Sequence, residues 1–232
     1  MPDSHLLSLL FLGFLLGVRH ALDADHVAAV LTIATENQYL WRSSLIGFCW
    51  GLGHTVVLLM VGAAVVLFKL TIPSAWAKAF EAGVGVMLVA LGLSVAYTLW
   101  RERVHLHTHR HNAGEPHRHV HSHRDGEHHD HLHRFRLEYK SLIVGMVHGL
   151  AGSAALLILV LATVSSLAVG ILYILVFGIG SILGMVLLAT AMSVPFTMSA
   201  EKMARVHQAL RATAALVSIM LGSRILFEWL VA

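Results

Sequence analysis

The segment His20-Ala21-Leu22-Asp23-Ala24-Asp25-His26 packs two imidazoles and two carboxylates into seven residues, and Arg19 stands directly before it. These side chains are the usual ligands of a first-row transition metal. Leu6 to Val18 on one side and Val27 to Ile33 on the other are almost wholly apolar, so the cluster sits at membrane depth. Ionisable groups are costly there and persist where they line a pathway or bind something. On an unbroken helix His20, Asp23 and His26 follow at three-residue spacing and form a drifting stripe, while Asp25 points elsewhere. A local break would let His20, Asp25 and His26 converge and would free carbonyls as further ligands. Arg19, four residues before Asp23, would neutralise that aspartate when no metal is bound. The blander alternative is a polar network that glues helices together. Two acids, two histidines and an arginine are more than such glue requires.

Two other histidines fall in apolar runs. Gly51-Leu52-Gly53-His54-Thr55 presents His54 between small residues that let helices approach closely. His148 opens His148-Gly149-Leu150-Ala151-Gly152-Ser153. Each alone would read as a packing residue, and only a neighbourhood with the first motif would make it a ligand or gate. Cys49, Ser153 and Ser181 read as packing side chains. Arg224 and Glu228, four apart, are placed for an ion pair on one helix face.

These residues must be positioned by membrane helices. Of the 232 residues 57% are hydrophobic and 12% charged. Apolar runs of roughly 20 residues recur, enough to cross a hydrocarbon core. Six spans are expected, near residues 5–34, 43–68, 75–100, 139–164, 167–192 and 208–231. The first is too long for a simple crossing and carries the polar motif in its middle, as expected of a broken helix. Pro73 should open the third span and Pro195 close the fifth. Met1 to His5 has no basic stretch and no small-residue cleavage site precedes the motif, so the first span is expected to be retained.

Residues 101–138 differ in composition and hold twelve of the eighteen histidines, at 105, 107, 109, 111, 117, 119, 121, 123, 128, 129, 131 and 133. Nearly free of aliphatics, the segment is expected to be disordered without metal. Its alternating imidazoles suit nickel, copper, zinc and cobalt without choosing among them. The net charge of +3 is dominated by this loop, which is also rich in acids, so no nucleic-acid partner is implied.

The halves flanking the loop resemble each other. Gly17 to Leu22 aligns with Gly145 to Leu150, Trp50 to His54 with Phe177 to Ser181, and Leu91-Gly92 with Leu221-Gly222. The expected architecture is an all-α polytopic membrane protein of two inverted three-helix repeats. Residues 1–104 form the first repeat, 105–138 the histidine-rich loop and 139–232 the second repeat. Odd-numbered repeats must be inverted, and transporters of that design place their sites at the repeat interface near the midplane. That brings His20, Asp23, Asp25, His26, His54 and His148 into one neighbourhood. Arg42, the eight basic residues from Arg101 to Lys140, and Lys202, Arg205 and Arg211 would share one side, against Lys69 and Lys78 on the other. The positive-inside rule then makes the loop cytoplasmic and puts both termini outside.

The pattern His-x4-Asp-His, from His20 to Asp25-His26, resembles the signature of the nickel/cobalt transporter family. Leu52-Gly53-His54-Thr55-Val56-Val57 resembles the family's second motif. With its histidine-rich loop and the run at 148–153, the whole chain is similar to the shorter, urease-accessory branch of nickel permeases. The resemblance implies import of Ni²⁺, with Co²⁺ as second candidate, across the bacterial inner membrane. It carries metal-site roles to His20, Asp23, Asp25, His26 and His54. Longer members have an extra span and a motif Leu-Gly-x-Asp-Thr-Ala-Thr-Glu that is not found here, so roles belonging to it are not transferred. Related exporters carry a form like His-Gly-Leu-Glu-Pro-Gly-His, whereas Asp-Ala-Asp-His favours uptake.

The expected path is capture by His20, His26 and an aspartate, passage towards His54 and His148, and release to the loop. No enzyme activity and no resident cofactor are expected, the metal being substrate. Expected partners are the bilayer, a divalent transition-metal ion and cytoplasmic nickel chaperones. The rival readings are an exporter and a non-transporting metallochaperone for urease maturation.

Overall fold

The computed structural model describes residues 2–36, 39–68, 73–101, 106–109, 117–120, 136–163 and 166–231. The chain is built from helices α1 (Pro2–His20), α2 (Ala24–Ala34), α3 (Leu40–Phe68), α4 (Ser74–Arg101), α5 (Arg136–Thr163), α6 (Leu167–Lys202) and α7 (Ala204–Val231). Among the described residues α3, α4, α6 and α7 are long and apolar enough to cross a membrane, and α1 with α2, bent by 53°, makes five if the bent pair counts as one span. Helix α5 occupies the span expected at 139–164, but the side chains of residues 152–163 lie outside the described ones. Large apolar side chains such as Phe11, Phe68, Trp100 and Phe227 point outward. Ala29, Ile33, Trp50, Leu88 and Met185 fill the interior. Apolar residues on both faces of a helix are what a lipid-facing bundle needs.

The break in the first span has a local cause. The Leu22 and Asp23 amides donate to the Arg19 and His20 carbonyls, a tightened last turn that ends α1. Asp23 then turns extended, with φ −62° and ψ 148°, and stands at the N-cap of α2, where aspartate is favoured. Asp25 lies in the first turn of α2, at the positive end of the helix dipole.

Glycines set the pairing of the long helices. A Cβ at Gly17 would overlap the Phe177 carbonyl oxygen, and Gly13 and Gly184 meet Tyr173 and Ala21, so α1 and α6 run parallel. Gly145 and Gly149 lie on the Trp50 and His54 carbonyls, which makes α5 parallel to α3. Helix α3 is antiparallel to α6, with Gly47 on Met185 and Gly51 on Ile182. Helices α4 and α7 pair antiparallel through Gly85 and Gly222.

One end of the bundle is tied by charge. Arg42 at the start of α3 donates to Glu138 at the start of α5 at 2.9 Å, and Lys140 meets Glu36, just beyond α2, at 2.7 Å. This end adjoins the histidine-rich segment, since α4 ends and α5 begins there. Arg224 and Glu228 make the expected ion pair at 2.8 Å.

Two expectations are corrected. Pro195 does not end its span, because α6 continues through it to Lys202. Hydroxyls of Ser193, Thr197 and Ser199 donate to the Thr190, Val194 and Phe196 carbonyls on either side of Pro195, and membrane helices tolerate proline. The histidine-rich segment also holds regular structure, strands β1 (Leu106–His109) and β2 (His117–Val120), paired antiparallel with His107 opposite His119 and His109 opposite His117. Alternating sequence in both strands permits a ladder that needs no core of its own. The other eight loop histidines lie outside the described residues.

Candidate metal centre

Five side chains converge where the first span breaks. His20 ends α1, Asp25 and His26 begin α2, His54 sits midway along α3, and His148 projects from α5. The break lets His20 and His26, six residues apart and on opposite sides of it, face each other with ring centroids 4.7 Å apart. His26 lies at the centre, 5.5 Å from the His54 ring and 4.1 Å from the His148 ring. The glycines make room for the rest: Gly149 brings α5 against the His54 backbone, which sets His54 and His148 rings 6.2 Å apart.

The hydrogen bonding is the most informative property of the cluster. His26 and His54 are fully buried and His148 is nearly so. Among the described residues neither ring nitrogen of His26 or His54 has a partner, nor does Nδ1 of His148. A buried polar atom left unpaired costs about 1–3 kcal/mol, and such atoms are rare in native interiors. Each neutral imidazole keeps one lone pair, so the His26, His54 and His148 rings together leave three that a cation can share. Ligand atoms of His20, His26 and His54 all lie within 4.8 Å of one another, as do those of Asp25, His26 and His148. Both sets suit a borderline metal ion, with imidazole nitrogen dominant and one carboxylate available.

The carboxylates hold the imidazoles in place. Nδ1–H of His20 donates to Asp23 Oδ2 at 2.7 Å, which leaves Nε2 for a ligand. Nε2–H of His148 donates to Asp25 Oδ2 at 2.9 Å, which leaves the unpartnered Nδ1. Asp25 Oδ1 also accepts the His26 backbone N–H at 2.9 Å. Carboxylates that fix the tautomer and tilt of a metal-binding histidine are a common feature of such sites.

The sequence-expected residues are thus brought together with two changes. Asp23 is exposed and belongs to neither ligand set, its carboxylate engaged with His20. Arg19 is exposed and is not the partner of Asp23. Trp50 was missed, although it lies four residues before His54 and so on the same face of α3. Its ring is 6.2 Å from His26 and 6.0 Å from His148, and its Nε1 is buried with no partner among the described residues. Phe177, 5.6 Å from the His20 ring, closes the opposite side. Ser181 is buried with no partner for its hydroxyl among the described residues. The side chain of Ser153 lies outside the described residues.

Comparison with known proteins agrees with this chemistry. No solved structure matches the chain. It is 40% identical over 228 residues to the urease accessory protein UreH of Bacillus sp. (strain TB-90), covering 98% of this chain and 94% of that one. Residues 6–225 match the family model described as NicO, high-affinity nickel-transport protein. A buried cluster of unpaired imidazoles within a helical membrane bundle and a family match over nearly the whole length lead to one conclusion: the chain belongs to the NicO family of high-affinity nickel-transport proteins.

Proposed function

We propose that this protein is a secondary permease that imports Ni²⁺, and Co²⁺ less favourably, through the cluster formed by His20, Asp25, His26, His54 and His148. The observation that carries this reading is the set of five buried imidazole nitrogens without partners at the centre of a membrane bundle. Asp23 acts indirectly, by holding His20 with its Nε2 towards the ion.

In this reading the bundle crosses the membrane six times, α1 with α2 forming the first crossing. Two inverted three-helix repeats, 1–104 and 139–232, flank the loop at 105–138. The glycine contacts support the repeat because they are reciprocal. Gly17 lies on Phe177 and Gly145 lies on Trp50. Gly145 is Gly17 shifted by 128, and Phe177 is Trp50 shifted by 127. Gly180 on Phe14 and Gly53 on Leu142 form a second reciprocal pair at the same shifts. The cluster then lies between the repeats, where transporters of this design bind substrate.

In this reading the histidine-rich segment is cytoplasmic and the membrane is the inner membrane of a bacterial cell, an orientation that the positive-inside rule favours. There the loop takes up arriving metal, limits back-flow and hands nickel to cytoplasmic chaperones. Cells expressing the protein should accumulate more radiolabelled nickel than control cells at sub-micromolar supply. Lower accumulation than the control would make it an exporter, and equal accumulation with nickel bound would make it a chaperone.

A further inference from the structure

The buried cluster contains two overlapping ligand sets, and they differ in composition. His20, His26 and His54 offer three nitrogens, whereas Asp25, His26 and His148 offer two nitrogens and a carboxylate oxygen. His26 belongs to both. Its two ring nitrogens are buried without partners among the described residues, and its ring lies within 5.5 Å of those of His20, His54 and His148.

The sets also differ in depth. Helices α3 and α5 run parallel and are tied at the loop side by Arg42 and Glu138. His54 is 12 residues beyond Arg42 and His148 is 10 beyond Glu138, about 18 and 15 Å at roughly 1.5 Å per residue. The bent first span approaches the same side, since Glu36 beyond α2 pairs with Lys140. His20, before the break, is therefore farther from the loop side than Asp25, after it. Within each pair the residue unique to the all-histidine set lies farther from the loop, His20 than Asp25 along the bent span and His54 than His148 by about one residue where Gly149 meets the His54 carbonyl.

Resting on the reading of this cluster as the nickel path, we propose that the ion occupies two stations in turn and passes between them around His26. At the far station Ni²⁺ is bound by His20, His26 and His54, all neutral, with Asp23 steadying His20. At the loop-side station it is bound by Asp25, His26 and His148. In the transfer the bonds to His20 and His54 nitrogens break and bonds to an Asp25 oxygen and a His148 nitrogen form, the hydrogen bond between those two residues giving way to the ion, while a His26 bond is kept. No electron is exchanged, and His148 stays neutral with one ring proton. The carboxylate lowers the net charge of the bound complex by one, so the loop-side station draws a doubly charged ion inward from the neutral one. A shared ligand keeps the ion from becoming bare in a low-dielectric interior, where an unligated charge is costly. Because both stations use His26, they hold one ion between them rather than two.

Nickel X-ray absorption spectra of purified full-length protein test this directly, with wild type, His54→Ala and His148→Ala loaded with Ni²⁺ alone. Each variant should retain a single bound nickel, and the shells should differ. His148→Ala should show an imidazole shell without a carboxylate, and His54→Ala a mixed shell with the carboxylate. Both should lose transport, since each lacks one station. Loss of nickel from either variant, or the same shell in both, would overturn the two stations in favour of one joint centre. If circular dichroism shows an alanine variant misfolded, His54→Gln and His148→Gln supply the same pair with side-chain volume retained. Failure of the wild type to bind nickel would instead overturn the functional reading on which the stations rest.

Discussion

The chain contains two histidine-rich regions of opposite design. The loop holds twelve histidines in a segment with hardly any aliphatic side chains, and its described part is a short two-stranded ladder. The membrane cluster holds four, delivered one by one from α1, α2, α3 and α5 to a dry centre. In the cluster the ring nitrogens of His26 and His54 and Nδ1 of His148 are buried with no partner among the described residues, so a centre without an ion is penalised. The difference teaches that position, more than number, gives a histidine its role. The loop has the ligands to store metal, and the cluster has the location to pass it.

That contrast can be broken most severely at His26, the residue common to both ligand sets. His26→Ala should reduce nickel flux in proteoliposomes to the protein-free background while membrane insertion and helical content stay unchanged. Full flux would remove the cluster from the path.

The next effect should come from the packing that brings α5 to the cluster. Gly145→Ala places a methyl group against the Trp50 carbonyl and should cost about 1–3 kcal/mol. A fall in the thermal unfolding temperature of the purified protein, with reduced nickel affinity, is the expected result. An unchanged melting curve would show that the α3–α5 contact is looser than described.

Asp23→Asn sharpens the comparison within the cluster. If Asp23 only steadies His20, nickel affinity should fall by about 10- to 100-fold while the imidazole and carboxylate ligands seen by X-ray absorption stay the same. Loss of an oxygen ligand from the nickel shell would make Asp23 a direct ligand instead.

The smallest change should follow removal of residues 105–133. Flux should persist, with a weaker apparent affinity for nickel and more back-flow when the external metal is withdrawn.

Much of this was legible in the sequence, and the exceptions have physical reasons. Apolar runs located every long helix, since spans of that length have no other stable use. The break was legible because Asp23 and Asp25 are poor interior residues for a membrane helix but good ones at an N-terminus. The partner of Asp25 was not, because pairing with His148 depends on how α5 docks against α3. Nor was the partner of Asp23, where i+3 contact to His20 prevailed over i−4 contact to Arg19. Trp50 carried a usable signal in its helical spacing from His54, but tryptophan in a membrane span is ordinarily packing. Pro195 misled because the rule that proline ends a helix is weak in membrane helices, and α6 runs through it.

The central claim is that the buried cluster, and not the loop, decides whether nickel crosses. Nickel-dependent dye quenching in proteoliposomes, with the 105–133 deletion and His26→Ala measured side by side, tests it most directly. The account predicts flux through the deletion variant and none through His26→Ala. Flux through His26→Ala together with silence from the deletion variant would contradict it.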